Sequence, residues 1–146
     1  MDDVDRRILA LLVEDGRRTW DDVAGRVALS APAVKRRVDR LRRDGVIEAF
    51  TTVVDHTALG ARTEALVELF FAPGTLLDSV AEILGRHPEV VEAWSVTGEA
   101  DAIARVRTID NADLERLIME LQRDGLVLRT SSQVVLSHLV TRPVAA

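Results

Sequence analysis

The sequence predicts an α+β chain of two modules, and three observations carry that expectation. Apolar residues recur at helical spacing three times before Gly45, each stripe opened by acidic or hydroxyl-bearing residues. From Thr63 onward strands rich in β-branched and apolar residues alternate with helical stripes in the order β-α-β-β-α-β. The formal net charge of −5 is also unevenly placed: residues 1–60 balance eleven basic against eleven acidic side chains, and residues 61–146 carry eight against thirteen.

The first helix is marked by Val4, Ile8, Leu11 and Leu12, at i, i+4, i+7 and i+8. Asp2, Asp3 and Asp5 crowd its first turn, where the helix dipole favours negative charge, and Asp15-Gly16 stops it. A second helix follows Thr19, an N-cap with Asp22 three residues on. Its apolar face is Trp20, Val23, Ala24 and Val27, so Trp20 reads as core filler. A third helix follows Ser30, another N-cap, and tolerates Pro32 because the first turn needs no internal N–H. It buries Val34, Val38 and Leu41 and ends at Gly45. Val46 to Val54, rich in β-branched residues, reads as a short strand pair. Two helices joined by Ala28-Leu29-Ser30 and followed by such a pair make a winged helix-turn-helix over residues 1–54.

Residues 55–61 read as the connector, and residues 62–146 as a ferredoxin-like βαββαβ domain. Its first strand, Thr63 to Ala72, places Ala65, Val67, Leu69 and Phe71 on one face and mixes Glu64, Leu66, Glu68 and Phe70 on the other. Leu76, Val80, Ile83 and Leu84 mark a helix closed before Pro88. Val90 to Thr97 and Ala102 to Arg107 are strands joined at Gly98. Leu114, Leu117, Ile118 and Leu121 mark a helix capped near Asp110 or Asn111, and Leu128 to Leu139 is the last strand. With helices on one side, Leu66, Phe70, Trp94 and Val96 expose apolar area on the other unless a partner covers it, which predicts pairing of two chains through their sheets.

Several function classes are set aside by what the chain lacks. It has no cysteine, hence no disulfide, thiolate metal site or thiol nucleophile. It has no apolar run of about eighteen residues, so no membrane partner is expected. Its acidic start has no apolar h-region, and a cytoplasmic location is expected. His56, His87 and His138 share no ligand spacing and read as surface or satisfied histidines. No glycine-rich phosphate loop, serine elbow or supported carboxylate pair is present. No catalytic residue, no metal and no cofactor are therefore expected.

The stretch Lys35 to Arg43 holds six basic residues and one acid, Asp39. At about 100° per residue from Val34, the core direction is roughly 10°, and Pro32, Arg43, Arg36 and Arg40 fall near 160°, 180°, 200° and 240°. All four face away from the core, Lys35 and Arg42 lie at the flanks, and Arg37 sits closer to the core edge. Such a face suits phosphate neutralisation and base-edge reading of double-stranded DNA. Arg36 is the first candidate for a base contact, because arginine pairs bidentately with guanine, and Arg40 and Arg43 are candidates for phosphate. The full candidate set is Ser30, Pro32, Ala33, Lys35, Arg36, Arg37, Arg40 and Arg43. The plainer alternative is a solvated charged face.

These residues resemble the Lrp/AsnC family of transcription regulators. The resemblance rests on Asp3-Val4-Asp5-Arg6-Arg7-Ile8-Leu9 with Glu14-Asp15-Gly16-Arg17, and on Leu29-Ser30 with Val34, Arg36-Arg37, Leu41 and Asp44-Gly45-Val46-Ile47. Val96-Thr97-Gly98-Glu99-Ala100-Asp101 is similar to the family's effector loop. The resemblance implies a regulator responding to a small effector, of the amino-acid class, held at a subunit interface. It implies a homodimer, or an octamer built as a tetramer of dimers. Carried over by position, Thr97, Gly98, Glu99 and Asp101 hold the effector, with Thr130 and Ser132 from a neighbouring chain. Asp101 or Glu99 would pair with the ammonium, and N–H groups around Gly98 with the carboxylate. The chain departs from the family pattern at Ala102, where relatives often carry an aromatic, and at Ala28, which replaces a frequent turn glycine. Two other readings stay open: an enzyme resembling the sirohaem decarboxylases, and an architectural DNA-binding protein with no effector.

Overall fold

The computed structural model describes residues 1–141. The chain divides into two compact units, one over Met1–Val53 with residues 139–141, the other over Val54–His138. The end of the expected second domain, residues 142–146, lies outside the described residues.

The first unit holds α1 (Asp3–Glu14), α2 (Trp20–Val27) and α3 (Ala31–Arg43). Its core is the three sequence stripes brought together: Ile8 and Leu12, then Val23, Ala24 and Val27, then Val34 and Val38, with Trp20 half-buried against them. Asp2 and Asp5 form a reciprocal capping box at the start of α1, and the Thr19 hydroxyl accepts from the Asp22 N–H at the start of α2. The C-termini of α2 and α3 close the same way. Leu29 N–H returns to Ala24 C=O with Ala28 at φ 56°, and Val46 N–H returns to Leu41 C=O with Gly45 at φ 72°.

The expected wing strands do not form. Residues 46–54 contain no hydrogen-bonded strand pair. The N–H groups of both Val46 and Ile47 turn back to Leu41 C=O, and Ile47 packs on the helical core. The nine residues from Val46 to Val54 also hold no Gly, Asn or Asp to close a tight hairpin, so β-branched content alone does not make one.

The second unit holds β1 (Thr63–Phe71), α4 (Leu77–Gly85), β2 (Val90–Ser95), β3 (Ala102–Thr108), α5 (Asn111–Gln122) and β4 (Val127–Val134). The strands form one antiparallel sheet in the order β2-β3-β1-β4. Ala65, Val67 and Leu69 of β1 and Ala102, Ala104 and Val106 of β3 point to one face, where they pack with Val80, Ile83 and Leu84 of α4 and Leu114, Leu117 and Leu121 of α5. Burial alternates residue by residue along both central strands. The last strand is shorter than its sequence suggests. Its partner β1 begins at Thr63, the last register pair is Ala65↔Val134, and after one further bond from Val135 N–H to Glu64 C=O the chain leaves the sheet.

Candidate functional site

The helix-turn-helix presents its outward face through local causes visible in the sequence. Ser30 occupies the N-cap position of α3, but its side chain makes no capping bond. Ser30 is exposed, and because Pro32 has no N–H and the Ala33 and Val34 N–H groups return to Ser30 C=O, its hydroxyl and the Ala31 N–H are the donors the helix start leaves for a phosphate. Pro32, Lys35, Arg36, Arg42 and Arg43 are exposed, and Ala33 is half-buried. Among the described residues Lys35, Arg36 and Arg42 make no ion pair or side-chain hydrogen bond, and Arg43 donates from Nε only to Asp39 C=O at 3.4 Å.

Arg37 and Arg40 are placed differently from the sequence expectation. Arg37 Nη1 donates to Asp2 Oδ2 at 2.7 Å and to Asp5 Oδ1 at 2.8 Å, and Arg40 Nη2 donates to Asp5 Oδ2 at 2.7 Å. Both guanidiniums are committed to the first turn of α1. The helical wheel placed Arg37 near the core edge but gave no partner, because the contact joins residues 32 and 35 positions apart. The Arg37 guanidinium and the Asp5 N–H hold the Asp2 carboxyl down at about 2. Burial pushes the Asp5 carboxyl up, but the Asp2 contact and Arg37 outweigh it and keep it below the usual carboxylate range.

In the second unit the loop from Val96 to Asp101 joins β2 to β3, and Gly98 sits at φ 129°, a conformation that suits glycine. A concavity of about 800 Å³ opens on the sheet face away from the helices, lined by Glu68, Ser95, Val96, Thr97, Glu99, Ala100 and Ile103. Thr97 and Glu99 are therefore brought together with Glu68, which the sequence reading did not select. Its signal was present: Glu68 is a charged residue between Leu66 and Phe70 on the open face of β1. Asp101 does not line the concavity. Its Oδ2 accepts from Phe71 N–H at 2.7 Å and its N–H donates to Leu69 C=O at 3.0 Å. Ala102 is buried in the core with the helices and does not line it either.

Thr130 and Ser132 pair directly with Leu69 and Val67. Directly paired residues share a face, so both belong to the helix side, opposite the concavity. One chain does not assemble them with Thr97 and Glu99. The open face instead carries half-buried Leu66 and Phe70 and exposed Trp94. It also carries an ion-pair ladder, with Glu64 bonded to Arg107 at 3.0 Å and Arg105 bonded to Glu92 at 2.8 Å. Arg129 stacks over Phe70 at 3.5 Å.

The histidines are scattered: His87 lies 3.6 Å from Glu120, His138 lies 3.5 Å from Glu64, and His56 is exposed. Among the described residues no group of three ligating side chains could hold a metal ion, and no helix is long and apolar enough to cross a membrane.

Comparison with known proteins agrees with this geometry. Residues 1–42 match the AsnC-type helix-turn-helix domain, and residues 64–145 match the Lrp/AsnC ligand binding domain. The chain is 46% identical to the HTH-type transcriptional regulator Rv2324 of Mycobacterium tuberculosis over 97% of its own length and 96% of the relative's. It shares the fold of E. coli AsnC, with TM-score 0.93 and 22% identity over 100% of this chain and 99% of that one. It shares the fold also of the transcriptional regulator NMB0573 of Neisseria meningitidis, solved as a complex with L-Met, with TM-score 0.88 and 22% identity over 97% and 94%. A helix-turn-helix with an outward basic face, joined to a βαββαβ sensor and matched in both halves, means that the chain belongs to the Lrp/AsnC family of transcriptional regulators.

Proposed function

We propose that this regulator reads double-stranded DNA with the outward face of α3, pairs through the open faces of its sheets, and is modulated by an amino acid at the β2–β3 loop. The observation that carries the reading is the set of uncommitted cations on α3, with Arg36 at its centre and Ser30 at its start. Arg36 is the base-reading candidate, Lys35 and Arg43 take phosphates, and Pro32 and Ala33 shape the close approach of the helix start. Two copies related by a two-fold axis would read half-sites about one helical turn apart, or a multiple of it, and sum their contacts.

Pairing is supported by the exposed apolar residues of the open sheet face, which a second copy would cover in a dimer or in a larger assembly of dimers. For the effector, Glu99 offers a carboxylate for an ammonium, and N–H groups around Gly98 suit a carboxylate. Thr97 lies beside them, whereas Thr130 and Ser132, on the helix side of their own sheet, would reach an effector only from a chain outside the sheet-paired dimer. An amino acid is the class favoured, since a regulator of the same fold is a complex with L-Met. Modulation requires that the effector bind one assembly or DNA-competent state better than the other.

The test is a mobility-shift titration on the duplex upstream of the protein's own coding sequence, at two salt concentrations and with excess random duplex. Salt-sensitive binding that survives competitor supports the reading. Binding erased by competitor, with and without each amino acid added, would reduce α3 to a solvated charged face.

A further inference from the structure

Asp5 is a carboxylate with 0% exposure, and its neighbours explain how it tolerates that burial. Its Oδ1 takes Arg37 and its Oδ2 takes Arg40 and the Asp2 N–H, while Asp2 Oδ2 takes Arg37 a second time. Arg37 and Arg40 stand three residues apart, neighbours on one side of α3. The carboxylates at the start of α1 thus meet a pair of guanidiniums on α3, charge for charge, and add a polar tie to the buried Val34–Val38–Leu41 stripe that seats the helix.

We infer that Asp5, braced by Asp2, is a positioning residue of the DNA-reading helix: it grips Arg37 and Arg40, helps fix which face α3 presents, and withholds both guanidiniums from phosphate. This rests on the DNA-reading role proposed above for α3. Six free cations on one helix would favour sequence-blind binding, because each phosphate contact adds affinity without reading a base. Internal pairing of two of them leaves Lys35, Arg36, Arg42 and Arg43 to meet DNA, in a fixed pose.

The test measures affinity of the full chain for the duplex upstream of its own coding sequence and for a random duplex of equal length, across a salt series. Asp5→Asn, which keeps the shape and removes the charge, should tighten random-duplex binding about tenfold at low salt. It should steepen the log–log salt slope by about one per protomer, from Arg40, because Asp2 still holds Arg37, and cut the specific-to-random ratio at least tenfold. Arg37→Gln should lower the ratio and leave the slope unchanged, whereas Arg43→Gln should make the slope shallower. A slope and ratio unchanged in folded Asp5→Asn would overturn the inference, even with a lower melting temperature. If Asp5→Asn does not fold, Arg37→Gln decides: a shallower slope would place Arg37 on phosphate and overturn it. A wild-type chain with no preference for its own duplex would instead remove the DNA-reading role, and the inference with it.

Discussion

The Asp101 carboxylate accepts a hydrogen bond from Phe71 N–H at 2.7 Å, where the register between β1 and β4 shifts. That bond ties the β2–β3 loop to the end of β1 and separates two acidic residues that lie two positions apart in sequence. Asp101 holds the loop, and Glu99 lines the concavity. Asp101→Ala should therefore cost the sensor unit about 1 kcal/mol, the worth of one exposed charge-assisted bond. Glu99→Gln should leave the melting temperature unchanged while weakening amino-acid binding about tenfold by calorimetry, the size of one lost charge-assisted contact. The opposite pattern, with thermal loss at Glu99 and binding loss alone at Asp101, would exchange their roles.

Ala28 closes α2 in the left-handed conformation, at φ 56°. An L side chain there costs roughly 1 kcal/mol relative to glycine. Ala28→Gly should accordingly raise the melting temperature of the helical unit by a few degrees. A lower melting temperature would mean that the Ala28 methyl makes compensating contacts.

Acid should loosen the helical unit through Asp2 and Asp5. Arg37 holds the Asp2 carboxyl at about 2, and Asp5 is also held below its ordinary value although burial opposes this. A carboxylate depressed in the folded state stabilises it above the ordinary carboxylate value, and that contribution is lost as pH falls through the folded one. Melting followed by Trp20 fluorescence in a Trp94→Phe background should be level from about pH 7 to 5 and decline below about pH 4. Arg37→Gln should flatten the decline. An identical acid profile with and without Arg37 would show that other groups govern it.

Trp94 on the open sheet face is 45% exposed in the single chain. Trp94→Arg should shift the chain from dimer toward monomer at micromolar concentration in sizing with light scattering, because it places an unmatched charge in an apolar contact. A wild-type chain that is already monomeric, or a variant of unchanged mass, would contradict pairing through this face.

The elements were legible in the sequence wherever one face was buried. The stripes through Ile8, Val23, Val34, Val67 and Leu117 mark segments that the structure folds as helices and strands, because burial imposes a period. The strand pair over 46–54 was misread because β-branched composition carries no information on whether a turn can close. The end of β4 was misread because a strand stops where its partner stops, which lies far away in sequence. At the site, outward direction was readable from the helical wheel, but commitment was not. Arg36 and Arg37 are neighbours of the same type, and only the fold brings Asp2 and Asp5 to one of them. Thr130 and Ser132 were named from the family pattern, and their face follows from a register that no local motif encodes.

The most direct test of the central claim, that the outward face of α3 reads DNA sequence, compares Arg36→Ala with Arg43→Ala on the chain's own upstream duplex and on a random duplex. Arg36→Ala should lose about 1–3 kcal/mol on the specific duplex and little on the random one, as removal of a base contact does. Arg43→Ala should weaken both alike and reduce the salt slope by about one per protomer. Equal losses from both changes on both duplexes would contradict base reading by this helix.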